Sequence, residues 1–178
     1  MSILDAPVTI KRFVLLLLSA LAVIALLLTV FELSNRKPSE RKLIQNFNNH
    51  RQTYERLRDM LLADDGLERV AGWGVETSSG FSKPPEGKFP SSRYNEYLAL
   101  LKEIDARGAF RARGQNPDVG VLVWASGFAG DTRHIAIYWL MHKPKNEVAS
   151  LDDFYRTPKP RCPVFRHIDG NWYLWADW

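Results

Sequence analysis

The chain is poor in the residues that announce chemistry. One cysteine, Cys162, among 178 residues excludes an intrachain disulfide and any zinc or iron–sulfur site built on cysteine. The four histidines, His50, His134, His142 and His167, are scattered. None stands three or four residues from another, so no metal pair local to one helix is encoded. The sequence also lacks a G-x-S-x-G elbow, a G-x-x-x-x-G-K-[ST] phosphate loop, an H-E-x-x-H helix and a G-x-G-x-x-G turn. No catalytic residue, metal ligand or cofactor is therefore expected. A net charge of +4 without a concentrated basic stripe speaks against nucleic acid as a partner.

Polar residues are missing in one place above all. From Phe13 to Phe31 the chain carries no charge, and only Ser19 and Thr29 are polar. As a helix the run would rise about 28 Å, close to the hydrocarbon thickness of a bilayer. It exceeds the apolar core of a signal peptide, and no small-x-small cleavage triplet comes after it. The sequence thus predicts a tail at 1–12, a single-pass transmembrane helix at 13–33, a linker at 34–38 and a soluble domain at 39–178. Counting Lys and Arg alone, Arg36, Lys37, Arg41 and Lys42 outweigh Lys11 and Arg12 and favour a cytoplasmic domain. A short N-terminus with an adjacent Lys-Arg pair instead suits an exported domain, and long domains translocate largely regardless of charge. The expectation is a bacterial inner (plasma) membrane protein with a periplasmic domain.

Beyond the apolar run the chain reads as α+β. Ser39 is suited to start a helix from Glu40 to Ala63, in which Leu43, Phe47, Tyr54, Leu57 and Leu61 form a seam interrupted only by His50. That seam supports either self-association with a second copy, as a coiled coil, or an amphipathic helix laid on its own sheet. A short strand over Leu67–Glu76 comes next, then a Ser/Pro/Gly-rich loop at 77–92. Ser92 can cap a second helix, Arg93–Ala106, with Gly108 closing it. The period then becomes alternating, giving five strands: Ala109–Arg113, Val119–Ser126, Thr132–Met141, Pro163–Ile168 and Asn171–Asp177. The last two form a hairpin about Asp169-Gly170, with His167 facing Trp172 and Val164 facing Trp175. Two helices packed on an antiparallel sheet of about five strands is an order that resembles the NTF2-like and cystatin-like architectures.

Strand parity brings His134, Ala136 and Tyr138 to one face and Ile135, Ile137 and Trp139 to the other. If the sheet curves, the first face lines a pocket containing Arg111, Arg113, His134 and Tyr138, suited to a small anion or polar ligand. Within it His134 near Asp131 or Tyr138 is the one candidate general base. Trp172 and Trp178 lie opposite Trp175, so the three cannot form one glycan-stacking platform. Cys162 has no neighbouring base to make it reactive. The leading functional expectation is a non-catalytic interaction or scaffolding module of the cell envelope, bound to another envelope protein or to itself. The alternative is a small-ligand binding domain, or a minor enzyme, using the sheet pocket.

Overall fold

The computed structural model describes residues 8–34, 36–84, 89–112, 117–127, 132–156 and 162–177. It divides into two units, residues 1–37 and 38–178. The first contains helix α1, Val8–Ser34. Its apolar side chains from Phe13 to Leu27 are largely exposed. Its two hydroxyls turn back on the helix, Ser19 donating to the carbonyl of Leu16 and Thr29 to that of Ala25, each at 2.8 Å. The expected transmembrane segment is not upheld, because among the described residues no helix is long and apolar enough to cross a membrane. The inner-membrane address and the periplasmic placement, which rested on that segment, fall with it.

The second unit is α+β, as expected, but among the described residues its sheet has eight strands rather than about five. Their order is β3-β2-β1-β4-β5-β6-β8-β7, and every neighbouring pair is antiparallel. The strands are β1 Leu67–Ala71, β2 Gly74–Thr77, β3 Gly80–Ser82, β4 Gly108–Arg111, β5 Val119–Ser126, β6 Arg133–Trp139, β7 Val164–Asp169 and β8 Trp172–Asp177. The extra strands arise where the sequence suggests one weak strand and a loop. Gly74 (φ +147°) and Gly80 (φ +117°) adopt backbone conformations closed to other residues, so the chain folds back twice between Leu67 and Ser82. The four strands from β4 to β6 and β8 carry the alternating pattern and pair in the interior of the sheet.

Among the described residues four helices accompany this sheet: α2 Glu40–Asn49, α3 Arg51–Ala63, α4 Ser91–Glu103 and the single turn α5 Leu151–Phe154. The expected continuous helix over 40–63 is broken at His50 (φ −121°, ψ 27°), which ends α2 and begins α3. Ser39 does cap α2, accepting from the amide of Lys42. Against the sheet, α2 and α3 bury Phe47, Tyr54, Leu57 and Leu61 completely. The rings of Phe47 and Tyr54 meet Trp172 of β8 at 5.3 and 6.2 Å. At the end of α4, Asp105 takes the left-handed conformation (φ +54°). The amide of Ala106 reaches the carbonyl of Leu101 at 2.8 Å and that of Asp105 reaches Lys102 at 3.3 Å, the Schellman pattern. Gly108 does not close the helix. It lies in β4, where a Cβ would stand 2.9 Å from the carbonyl of Val70.

The final hairpin is slipped by one residue from the expected register. His167 pairs with Tyr173, Phe165 with Trp175 and Val164 with Ala176, with a bulge before Asp169↔Trp172. The turn is Gly170-Asn171, and a positive φ at Gly170 alone is the requirement of a type II′ turn rather than of a turn centred on Asp169-Gly170. Residues 146–148 run parallel along β7, with hydrogen bonds of 2.7 and 2.9 Å to Phe165. They cover an edge that would otherwise be free to pair.

Candidate functional site

Register fixes two faces. In one row across the sheet, Val70, Ala109, Val121, Ile137 and Leu174 are paired in sequence and wholly buried beneath the helices. The opposite face has no helix over it among the described residues. Its rows run Arg69–Phe110–Gly120–Tyr138–Tyr173–His167 and Ala71–Gly108–Leu122–Ala136–Trp175–Phe165.

These rows explain a hollow. Ala71 and Gly108 are small, so the second row is low where β1 meets β4, with Leu122 beside them. Around it stand rings: Phe110 meets Tyr138 edge-on at 5.5 Å, and Tyr138 meets Trp175 at 5.5 Å. Phe110 lies across Gly120, whose Cβ, were there one, would stand 2.4 Å from the ring. A bulge in β5 between Leu122 and Trp124 completes the shape. It sends Trp124 into the core and sets Ala125 opposite His134, where an unbroken alternation would have placed the indole on the open face. The result is a cavity of about 540 Å³ whose lining includes Arg69, Trp73, Arg107, Phe110, Ala125, His134, Tyr138 and Trp175. A second depression of about 540 Å³ adjoins it, sharing Arg69, Phe110 and Tyr138 and adding Glu68 and Glu76.

Of the expected pocket residues, the structure brings His134 and Tyr138 together on this face. Arg111 lines the adjoining depression with Tyr138 but not the cavity itself, and its guanidinium is engaged: its Nε donates to the carbonyl of Leu61 at 2.7 Å and its Nη2 to that of Leu62 at 2.8 Å. It thus serves the C-terminal end of α3, where carbonyls lack helical partners and a cation is favoured. Arg113 lies outside the described residues, as does Asp131, the expected neighbour of His134. Arg69 and Arg107 supply the positive charge instead. Arg107 escapes sequence reasoning because it stands in the helix-to-strand connection, and Arg69 because its strand is short and interrupted by glycine. The signal that points to Arg69 is its two-residue spacing from Ala71 in β1.

Tyr138 is shielded, and burial pushes its phenol up to about 12, helped by the negative charge of Asp118 and opposed by Arg69. It remains a neutral hydrogen-bonding group at neutral pH. Arg69 has a loose pairing with Glu76 at 3.7 Å. Among the described residues Arg107 has no carboxylate within ion-pair distance, and no group of three His, Cys, Asp or Glu is placed to hold a metal. Cys162 is half-buried near the start of β7, and its carbonyl accepts from the Tyr155 hydroxyl at 2.7 Å.

The residues expected to mediate self-association are spent internally. Leu43 is 7% exposed, and Phe47, Tyr54, Leu57 and Leu61 are fully buried against the chain's own sheet, which leaves no seam for a second copy. No known protein family, curated protein or solved structure matches the chain, so the expected likeness to NTF2-like and cystatin-like folds gains no support there.

Proposed function

We propose that residues 38–178 form a non-catalytic binding module that takes a small ligand in the pocket on the open sheet face. The observation that carries this reading is the bulged β5. It withholds a tryptophan from a site already floored by Ala71, Gly108 and Leu122 and walled by Phe110, Tyr138 and Trp175. A cavity of about 540 Å³ lies within the range of small-molecule sites, which are mostly apolar with a few convergent polar groups. Tyr138, whose phenol burial pushes up to about 12, enters this reading as a neutral hydrogen-bonding wall of the site rather than as a base. The envelope-scaffold reading rested on a membrane anchor, which no described helix supplies.

The test is to fill the hollow. Ala125→Trp should keep the far-ultraviolet circular dichroism spectrum of the native chain. A metabolite panel screened by thermal shift should include at least one compound that raises the Tm of the native chain and not that of the variant, because a ligand specific for the folded state stabilises it. A panel that raises neither Tm, or both equally, would remove the proposal.

A further inference from the structure

Resting on the ligand-binding reading of this pocket, we propose that its ligand is an aromatic anion: a flat ring held among the aromatic side chains, bearing a carboxylate or similar group that Arg69 and Arg107 receive. Three observations converge on this class. First, among the described residues the lining carries two arginines and His134 but no carboxylate. The acids nearest on this face stand outside it: Glu76 is beside Arg69 at 3.7 Å, and Asp177 is across the ladder from His134. An arginine presents a planar fork of donors that matches a carboxylate in two parallel hydrogen bonds. Arg107, exposed at the pocket and without a carboxylate partner among the described residues, has that fork to offer.

Second, the walls are rings set at steep angles to one another. Phe110 and Tyr138 meet at 80°, and Tyr138 and Trp175 at 63°. Such rings receive a further flat ring in edge-to-face or offset contact, a geometry an alkyl chain does not use. Third, Trp73 lines the pocket although half of its surface is exposed, and it rests at 5.4 Å on Phe81, itself 60% exposed. A large ring standing half in water in the wall of a cavity gains most from a partner that covers it. Aromatic rings alone would equally suit a cation, but the arginines repel one. Charge therefore decides the sign of the ligand, and ring geometry its shape.

A charge series on one ring tests both halves. Indole-3-acetate, indole-3-acetamide, tryptamine and octanoate would be titrated into the full chain by calorimetry. Indole-3-acetate should bind at least tenfold more tightly than its neutral amide and than octanoate, with tryptamine weakest. Arg107→Ala and Arg69→Ala should each bring indole-3-acetate close to the amide while leaving amide binding unchanged. Amide binding equal to acid binding, or tighter tryptamine, overturns the anionic half, and octanoate as tight as indole-3-acetate overturns the aromatic half, while the pocket stands in both cases. Failure of all four compounds overturns this inference, and a metabolite panel that is also silent removes the pocket reading with it.

Discussion

The two faces of the sheet are made by alternate residues of the same strands, yet they solve different problems. On the helix-covered face, Val70, Ala109, Val121, Ile137 and Leu174 make a row of aliphatic and small side chains with no exposed surface. On the open face, the neighbouring row reads Arg69, Phe110, Gly120, Tyr138 and Tyr173, and its members cover one another only in part. Aliphatic residues suit a face that a second layer seals, since they fill space in any direction. Large rings can shield a sheet that has no second layer, because each covers its neighbours sideways, as Phe110 covers Gly120. The difference teaches that a row of strand aromatics need not be core. It can be the wall of a site.

The sharpest way to break this comparison is to remove volume from each side. Leu57→Ala, on a residue with no exposed surface, should cost about 3–4 kcal/mol, as large-to-small changes in a sealed core do. Trp175→Ala deletes a larger side chain, but one that is only half-buried on the open face, and should cost less than half as much. Chemical denaturation of both variants gives the ratio directly. If the tryptophan costs as much as the leucine, the open face is core in all but geometry.

A smaller effect is expected at the seam that closes the covered side. Glu40 at the start of α2 accepts from the amides of Leu151 and Asp152 at 2.5 and 3.2 Å, and it also pairs with Arg166 of β7. The amide of Glu40 in turn reaches Asp152 at 3.1 Å. One side chain, about a tenth exposed, thus joins α2, α5 and the edge of the sheet. Glu40→Ala leaves Arg166 and two amides without their anion, and should cost about 2–3 kcal/mol. A loss below about 1 kcal/mol by urea denaturation would show that water replaces the carboxylate.

Much of the covered side is legible in the sequence, and little of the open side is. The Leu43–Leu61 spacing announces a buried helical face and Ser39 its start, because helix periodicity and capping are local rules. The parity of β6 separates His134 and Tyr138 from Ile135 and Ile137 for the same reason. The pocket depends on non-local events. The bulge that turns Trp124 inward is decided by pairing with Ile135, and no spacing within β5 reveals it. Residue type alone assigns Arg111 to the ligand, yet the end of α3, fifty residues earlier in the chain, competes for its guanidinium. The extra strands hide for two reasons: β2 reads as the tail of one strand over Leu67–Glu76 and β3 as part of the 77–92 loop, until Gly74 and Gly80 are seen to reverse the chain.

Alkaline pH sharpens the comparison with a milder perturbation. Burial raises the phenol of Tyr138 to about 12 from its ordinary 10, and it also raises Tyr54 and Tyr97 on the covered side. A phenol raised in the folded state ionises first in the unfolded chain. Its contribution is therefore complete below pH 10 and is lost as the pH climbs toward about 12. For Tyr138 this amounts to no more than about 2 kcal/mol, given its partial exposure. Tyr138→Phe should leave stability at pH 7 within about 1 kcal/mol and should flatten only part of the fall between pH 10 and 12. The covered tyrosines should account for the rest. Disappearance of the whole alkaline fall in that one variant would place the shielded phenols on the wrong face.

The smallest change expected is a gain, at the point where the chain leaves the helix layer for the sheet. Asp105 holds φ +54° so that α4 can end in its pair of reversed hydrogen bonds, from Ala106 to Leu101 and from Asp105 to Lys102. An L-residue is strained there, and glycine is the residue that ordinarily occupies it. Asp105→Gly relieves the strain but gives the unfolded chain more freedom, which offsets part of the benefit. The net should be a stabilisation of about 0.5 kcal/mol, a rise in Tm of one or two degrees by the usual scaling for a domain of this size. Asp105→Val, which cannot adopt the conformation cheaply, should lose more than about 1 kcal/mol. Because the turn sets where β4 begins, Asp105→Val should also blunt ligand binding at Arg107 and Gly108, while Asp105→Gly leaves it intact. Equal stability of the two variants would mean that the turn relaxes without its left-handed residue, and that the entry to β4 is held by the pairing of Gly108 with Ala71 instead.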